Sequence, residues 1–328
     1  MRVRDAVVVV TGASSGIGRA SALALADAGA HLVLAARRPA ALEEVAQECR
    51  SRGAEALVVP TDVSDADAVA RLGQAAVDRF GRVDVWLNSA VVMAFGRLDQ
   101  VPLADTRRLV EVNLLGAVHQ AREALRRMRE QGRGVHITVS SVLAATPQAQ
   151  TVAYDITKAG MRALTVSLRQ ELRQDGLTGI SVCTVLPAAV DTPIWRSGAN
   201  HTGRVVRAMP PRNSPEQVAR TVVDLVRVPR REAPVGFGAR QLLALARVAP
   251  VLNERLLGFV VPRLQLTAEP AAPSSGNLHA PSGDTGSVDG GWGGRRATTK
   301  RRVAGAALTT AAAALVTART SGGRLRRP

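Results

Sequence analysis

The sequence is poor in several residue types that mark particular classes of protein. Aromatic residues make up 2% of the 328 residues, tyrosine occurs once, and the two cysteines are Cys49 and Cys183. Because these cysteines fall in a predicted helix and a predicted buried strand, a disulfide framework is excluded and a reducing compartment is expected. The five histidines lack the spacing of metal ligands, so no metal site is expected.

Long apolar runs are missing near the start of the chain. The run after Arg2 and Arg4 covers only Ala6 to Val10 and leads into a glycine-rich turn, so it predicts a first strand and no secretory signal. We therefore expect a cytoplasmic protein. With 46% hydrophobic residues, the chain can bury one large core, and its length leaves room for a tail.

Lysine is almost absent, and positive charge is unevenly spread. Of 43 basic residues only Lys158 and Lys300 are lysines, and residues 295–328 hold nine cations and no acid, within a net charge of +16. This basic tail is interpreted first as solvated, and second as a contact to an anionic membrane surface. No aromatic residues alternate with its cations and no nucleic-acid module is recognised, so no specific nucleic-acid partner is expected.

Short β-branched runs alternate with helical patterns from residue 6 to about 190. This alternation predicts an α/β fold with a doubly wound parallel sheet and helices on both faces. The predicted strands are Ala6–Val10, His31–Ala35, Ala56–Pro60, Val83–Leu87, Gly134–Val139 and Ile180–Leu186. The predicted helices are Gly18–Ala28, Ala40–Arg52, Ala66–Arg79, Pro102–Gln131, Val152–Gln174 and one from Ser214 to Val228.

Three segments follow from this pattern: residues 1–234 as the main domain, 235–266 as an apolar helical extension, and 267–328 as a flexible linker with a basic Ala/Arg-rich tail. The extension is interpreted as helices on the core or a partner subunit. The alternative is a peripheral membrane contact with Arg240, Arg247, Arg255 and Arg263 at the headgroups. Residues 303–318 are interpreted as a solvated or partner-bound helix, or alternatively as a transmembrane anchor.

A glycine-rich turn follows the first predicted strand and opens the first helix. Such a turn lets a pyrophosphate approach the backbone at a helix N-terminus, so it predicts a dinucleotide site, with an ordinary tight turn as the alternative. Its candidate cofactor contacts are Gly12, Ser14, Ser15, Gly16, Ile17 and Gly18.

The end of the second predicted strand indicates which dinucleotide binds. An acid there would hold the ribose 2′-hydroxyl and repel a 2′-phosphate, but no carboxylate occurs from His31 to Ala41. The chain has Arg37 and Arg38 instead, and a guanidinium matches phosphate geometry. We predict NADP(H), through Arg37 first and Arg38 second, with NAD(H) as the alternative.

The only tyrosine lies four residues before one of the two lysines. Tyr154 and Lys158 share a face of a predicted helix, so the ammonium is expected to lower the pKa of the phenol. This pair predicts a general acid or base.

These motifs together resemble the short-chain dehydrogenase/reductase family over about residues 5–230. They are Thr11 to Gly18, Asn88-Ser89-Ala90, Asn113, Ser140-Ser141, Tyr154-x-x-x-Lys158 and Pro187 through Thr192. The resemblance implies a single Rossmann-type domain that transfers hydride between a nicotinamide and a carbonyl or alcohol carbon. Tyr154 would exchange the proton, Lys158 would hold the nicotinamide ribose, Ser141, in preference to Ser140, would bind the substrate oxygen, and Asn113 would steady a water.

The resemblance also implies further cofactor contacts and a covering segment. The contacts are Asp62, Val63, Asn88, Ala90, Pro187, Val190 and Thr192, with a helix N-cap as the alternative role of Asp62. Residues 192–214 would form a substrate lid that contains Trp195, Arg196, His201, Arg204, Arg207 and Met209. The lid would have an aromatic wall and cations that meet a polar or anionic substrate, and the alternative is an exposed loop whose charges face water. By analogy we expect a homo-oligomer.

Thr157 replaces the serine that commonly precedes the lysine in the family and keeps its hydroxyl, and two further residues depart from the family pattern. Val91 and Ala188 stand where the family has glycine, and a side chain there would shift the cofactor if the backbone needed a positive φ. These departures and the basic tail motivate an alternative function, a non-catalytic NADP(H)-binding sensor or scaffold.

Overall fold

The computed structural model of the chain describes residues 1–281, 283 and 286–293. The basic stretch 295–328 lies outside the described residues. The predictions for residues 303–318, a solvated or partner-bound helix or a transmembrane anchor, therefore fall outside them as well. The strands of the described residues are β1 (Val7–Thr11), β2 (His31–Ala36), β3 (Ala56–Pro60), β4 (Val85–Asn88), β5 (Ala94–Phe95), β6 (Gly134–Val139), β7 (Ile180–Pro187), β8 (Ala199–Asn200), β9 (Arg204–Val206), β10 (Glu232–Val235) and β11 (Leu266–Pro270).

The helices lie between these strands. They are α1 (Gly16–Asp27), α2 (Pro39–Ser51), α3 (Ala66–Phe80), α4 (Leu103–Val110), α5 (Gly116–Gln131), α6 (Val152–Gln174), α7 (Ile194–Ser197), α8 (Pro215–Arg227), α9 (Ala239–Val248) and α10 (Pro250–Gln265). The predicted helix Pro102–Gln131 is divided between α4 and α5 by a π-helical turn, Glu111–Leu115. Such turns often mark functional sites, and this one carries Asn113.

The central sheet has seven parallel strands in the order β10-β7-β6-β4-β1-β2-β3. Alternate residues of β1 point to opposite faces: Val8 and Val10 pack in the apolar cluster that includes α1, α2 and α8, and Val7 and Val9 pack in the cluster that includes α3, α5 and α6. The predicted doubly wound fold is confirmed. The strand order reverses at β1 and β4, where ligands of such sheets bind.

Strand β10 is the one strand of the central sheet that the sequence analysis missed. Its four residues contain Pro234, and proline within a run argues against an interior strand because it lacks an N–H donor. β10 pairs only with β7 at the edge of the sheet, where proline is tolerated.

The segment after the central sheet is helical, as predicted, and then differs from expectation. Helices α9 and α10 form the extension, and none of the described helices has the length and apolar character to span a membrane. From residue 267 a flexible linker was expected, but β11 pairs antiparallel with β9, within the predicted lid. The predicted membrane contact and the homo-oligomer stay predictions.

Candidate active site

A cavity lies at the carboxyl ends of the central strands. It is lined by the glycine-rich turn on one side and by Tyr154 and Lys158 on the other. The predicted site residues that line it are Gly12, Ser14, Ser15, Gly16, Ile17, Gly18, Arg37, Arg38, Asp62, Val63, Ala90, Ser141, Tyr154, Lys158, Pro187, Val190 and Thr192. Residues far apart in sequence are therefore brought together as the motifs predict. Asn88 and Asn113 are not among the lining residues.

The glycine-rich turn has no room for side chains at two of its positions. A Cβ on Gly12, whose φ is 66°, would lie 2.8 Å from the Cα of Ala90, and a Cβ on Gly18 would lie 2.1 Å from the carbonyl oxygen of Gly12. The turn thus packs tightly against the end of β4 and leads into α1 at Gly16. The Gly16 N–H donates to the Ser287 carbonyl, and the next two residues of α1, Ile17 and Gly18, also line the cavity, where a helix N-terminus can hold an anion.

The end of β2 places two guanidinium groups at the cavity. Arg37 is half-buried, and its guanidinium donates hydrogen bonds to the main-chain carbonyls of Asn277 (2.6 Å) and Leu278 (3.2 Å). Arg38 lines the same end. This cationic end fits a phosphate-bearing ribose.

Asp62 is held by a neighbour that sequence reasoning missed. Its carboxylate accepts hydrogen bonds from Ser64 and from the Arg108 guanidinium at 2.6 Å. Burial acts to raise the pKa of Asp62, but these hydrogen bonds outweigh it and lower the pKa below its ordinary value. Asp65, not Asp62, caps α3. Arg108 comes from α4, and no local pattern links it to this site.

Tyr154 and Lys158 lie one above the other on α6, as predicted. The Lys158 Nζ is 5.3 Å from the centre of the Tyr154 ring and donates to the Val139 carbonyl at 2.9 Å. The direction of the pKa shift differs from our expectation. Burial raises the pKa of the Tyr154 phenol, with a smaller effect from Asp155, and burial lowers the pKa of Lys158 to about 7.

The two serines after β6 point in different directions. The Ser140 hydroxyl donates a hydrogen bond to the Lys158 carbonyl at 2.9 Å, so its O–H group is already engaged with α6. The Ser141 oxygen accepts from the Leu143 N–H at 3.1 Å, which leaves its O–H to donate. Of the two, Ser141 is suited to bind a substrate oxygen.

Asn113 and Asn88 are buried behind the cavity wall. The Asn113 amide makes two hydrogen bonds with the main chain of Val92, each 2.9 Å, and donates to the Thr157 hydroxyl, which in turn donates to the Tyr154 carbonyl. Asn88 accepts from Gln120 at 3.1 Å, and its Nδ2 has no partner among the described residues. Both side chains therefore support the wall rather than line it.

Apolar residues form the part of the cavity beyond Tyr154 and Ser141. They come from the loop after β4, from the turn after β6, from the lid and from the helical extension, and they are Met93, Leu143, Trp195, Met209, Leu242 and Leu257. Polar side chains of Thr146 and Gln148 also line the cavity. The extension thus contributes to the site, which its sequence did not indicate.

The predicted lid cations point away from the cavity. Arg207 donates to the Leu264 carbonyl at 2.8 Å, and Arg196 stacks on Trp292 at 5.1 Å. His201 contacts the Asp105 carboxylate at 2.8 Å. Arg204 is exposed. Within residues 192–214 the lining is formed by Trp195, Ser197, Met209, Pro211 and residues 192–194, and by none of the arginines.

The two departures from the family pattern cause no backbone strain. The described non-glycine residues with positive φ are Asp5 and Gln150, so Val91 and Ala188 do not occupy conformations that favour glycine. Both residues line the cavity. One reason to doubt catalysis is therefore removed.

Comparison with known proteins identifies the class of this fold and site. Residues 6–202 match the family model described as short chain dehydrogenase. The uncharacterized oxidoreductase YxnA of Bacillus subtilis (strain 168) is 31% identical over 276 residues, which cover 83% of this chain and 77% of that protein.

Two solved structures are also similar. One is an alcohol dehydrogenase from the archaeon Thermococcus sibiricus complexed with 5-hydroxy-NADP, with 30% identity, a TM-score of 0.61 and coverage of 70% of this chain and 94% of that one. The other is a short chain dehydrogenase/reductase from Burkholderia phymatum in complex with NAD, with 26% identity, a TM-score of 0.69 and coverage of 84% and 99%. The chain belongs to the short-chain dehydrogenase/reductase family and is an oxidoreductase of that type.

Proposed function

We propose that the protein transfers a hydride between NADP(H) and the carbon of an apolar secondary alcohol or ketone. The observation that carries this proposal is the position of Tyr154 and Lys158 in the same cavity as the glycine-rich turn. A bound dinucleotide with its pyrophosphate at the N-terminus of α1 would extend from Arg37 toward that pair.

Each polar group of the site has a distinct role in this proposal. The bound nicotinamide supplies or accepts the hydride. Tyr154 exchanges a proton with the substrate oxygen, and its raised pKa keeps the phenol protonated at neutral pH, the form that donates to a carbonyl. The Ser141 O–H donates to the same oxygen, and Lys158 holds the nicotinamide ribose. Asn113 acts as a positioning residue through Thr157, and the water that it would steady stays a prediction.

The preference for NADP(H) rests on residues at the end of β2. Arg37 and Arg38 line the cavity there, and no carboxylate is present from His31 to Ala41 to repel a 2′-phosphate. Asp62, the acid at the neighbouring strand end, is paired with Arg108. The two solved relatives carry a NADP derivative and NAD, so this choice depends on the residues of this chain.

An apolar substrate is supported by the lining beyond Tyr154. Met93, Leu143, Trp195, Met209, Leu242 and Leu257 surround that space, and the lid arginines do not reach it. A carboxylate or phosphate on the substrate would lose its hydration without gaining a cation, which is unfavourable. This replaces the polar or anionic substrate expected from the sequence.

The decisive experiment removes the phenol oxygen while keeping the ring. With NADP(H) and a panel of apolar alcohols and ketones, Tyr154→Phe should lower kcat by at least about 100-fold, the usual contribution of a general acid–base. NADPH binding, followed by its fluorescence, should stay within about twofold because the ring and Lys158 remain.

Either of two results would contradict the proposal. Turnover that survives Tyr154→Phe would remove Tyr154 from the chemistry. Tight NADPH binding by the wild-type protein without turnover of any alcohol or ketone would favour the sensor or scaffold instead.

A further inference from the structure

A segment near the C-terminus crosses the mouth of the cavity. We call the described residues 271–281, 283 and 286–293 the strap. The strap begins beside the lid, where the Ala271 N–H donates to the Gly203 carbonyl and Ser274 exchanges two main-chain hydrogen bonds with Asn200. It follows directly from β11, which is itself paired with β9 of the lid.

The first part of the strap is anchored at the cationic end of the cavity. The side chain of Leu278 is fully buried in an apolar cluster. Its carbonyl accepts hydrogen bonds from both Arg37 and Arg108, each 3.2 Å. The neighbouring Asn277 carbonyl accepts from Arg37 at 2.6 Å, and the Asn277 N–H donates to the Ser197 carbonyl at 2.8 Å.

The second part of the strap crosses the glycine-rich turn and reaches the loop after β7. The Ser287 carbonyl accepts from the Gly16 N–H at 3.0 Å. Asp191 accepts from the main-chain N–H groups of Gly290 and Trp292, each 3.0 Å. The Trp292 ring is contacted by Arg196 at 5.1 Å, so the end of the strap is held on the lid as well.

The strap therefore spans the whole length proposed for the dinucleotide. It contacts Arg37, which is proposed to hold the 2′-phosphate, then the first residue of α1, where a pyrophosphate is expected, and then the loop of Thr192 near the reacting centre. These contacts are made largely by strap carbonyl oxygens and by N–H donors of the strap to Asp191. The cavity remains open beneath the strap, whose Asn277 and Pro281 line it.

We propose that the strap closes over the dinucleotide and that the cofactor enters and leaves only when the strap undocks. This inference rests on the proposed function, because it concerns the same cavity and the same cofactor. Its consequence is that the docking equilibrium of the strap sets the rate of cofactor exchange. Steps such as cofactor release limit turnover in many enzymes with closing segments.

Gly290 offers a variant that disturbs docking at one point. A Cβ on Gly290 would lie 2.4 Å from the carbonyl oxygen of Thr192, so Gly290→Ala prevents the close approach. A Cβ on Gly283, in the same strap, would meet nothing within 4 Å of the described residues. Gly283→Ala is therefore a matched control with the same change in composition.

The experiment measures cofactor exchange in the full-length protein. NADPH bound to the wild-type protein, Gly290→Ala or Gly283→Ala is displaced by excess NADP⁺ in a stopped-flow fluorimeter. Two weakened hydrogen bonds from the strap to the Asp191 carboxylate correspond to about a tenfold change in the docking equilibrium, so we expect NADPH to leave Gly290→Ala about tenfold faster. Gly283→Ala should match the wild-type rate. Equal rates in all three proteins would overturn the proposal.

Hydrogen exchange gives a second readout that does not depend on displacement. The Gly290 and Trp292 amides should be protected in the wild-type protein, more so with NADP⁺, and the Trp292 amide should be about tenfold less protected in Gly290→Ala. Unprotected amides in the wild-type protein would also overturn the proposal. A wild-type protein that binds neither NADPH nor NADH would refute the proposed function itself. If the cofactor binds but leaves the wild-type protein and both variants at the same rate, only the proposed role of the strap is refuted.

Discussion

The two sides of the cavity differ in how they are built. The cofactor side is formed by the glycine-rich turn, the ends of β2 and β4, and α6, where short local motifs place main-chain N–H groups and charged side chains. The substrate side combines Met93 and Leu143, from the middle of the chain, with apolar side chains that the lid, α9 and α10 contribute from later in the chain. Polar chemistry is thus encoded locally, whereas the shape of the substrate space depends on distant segments packing together.

The largest expected effect tests the cofactor side. Arg37→Ala removes a guanidinium from the proposed 2′-phosphate site, and loss of a charge-assisted hydrogen bond of this kind weakens binding by about 10- to 100-fold. In fluorescence titrations the affinity for NADPH should fall by that factor relative to the affinity for NADH, because the contacts of Arg37 to the strap serve both dinucleotides alike. The control is Arg122→Ala, an exposed cation on α5. Equal losses for both dinucleotides would remove Arg37 from cofactor selection.

An intermediate effect is expected on the substrate side. Leu257 is 6% exposed and lines the cavity, whereas the adjacent Leu256 is 43% exposed. Removing apolar contact to substrate commonly costs about tenfold in specificity, so Leu257→Ala should raise KM about tenfold for bulky apolar alcohols. Leu256→Ala should leave KM unchanged, and thermal unfolding checks that both variants fold. Identical KM values for the two variants would show that Leu257 of α10 does not contact the substrate.

The smallest expected effect concerns Lys158, where the two sides meet. Its pKa of about 7 in the free protein means that the amine is charged below pH 7 and largely neutral above it. The negative charge of a bound dinucleotide raises that pKa, so binding at pH 8 should take up at most about one proton, and binding at pH 6 almost none. Calorimetry in buffers of different ionisation enthalpy measures this uptake. Uptake that persists in Lys158→Met would assign it to another group.

The central sheet and most of the cofactor side could be predicted from the sequence. Their signals are local: β-branched runs mark buried strands, and glycine is required wherever a Cβ would collide, as at Gly18. Tyr154 and Lys158 were found because residues four apart share a helical face. The confirmed fold then brings these local motifs to one edge of the sheet.

Other features could not be predicted because they depend on contacts between distant segments. Arg207 and His201 are residue types that suit contacts to a polar or anionic substrate, but hydrogen bonds to Leu264 and Asp105 turn them away from the cavity. Arg108 and Leu278 lie 170 positions apart. Nothing in either local pattern indicates that the Arg108 guanidinium donates both to the Leu278 carbonyl and to the Asp62 carboxylate. The pKa of Tyr154 depends on burial, which a spacing of four residues does not reveal.

The pairing of β9 with β11 has a consequence for biosynthesis. A nascent polypeptide leaves the ribosome from its N-terminus, and domains fold as they emerge. The strands β1 to β7 can assemble before Leu266–Pro270 exists, but β9 gains its hydrogen-bonded neighbour only after those residues have been translated. The lid can therefore be completed only after the strands of the central sheet have been translated, and a stop codon after β10 would leave β9 without its partner strand.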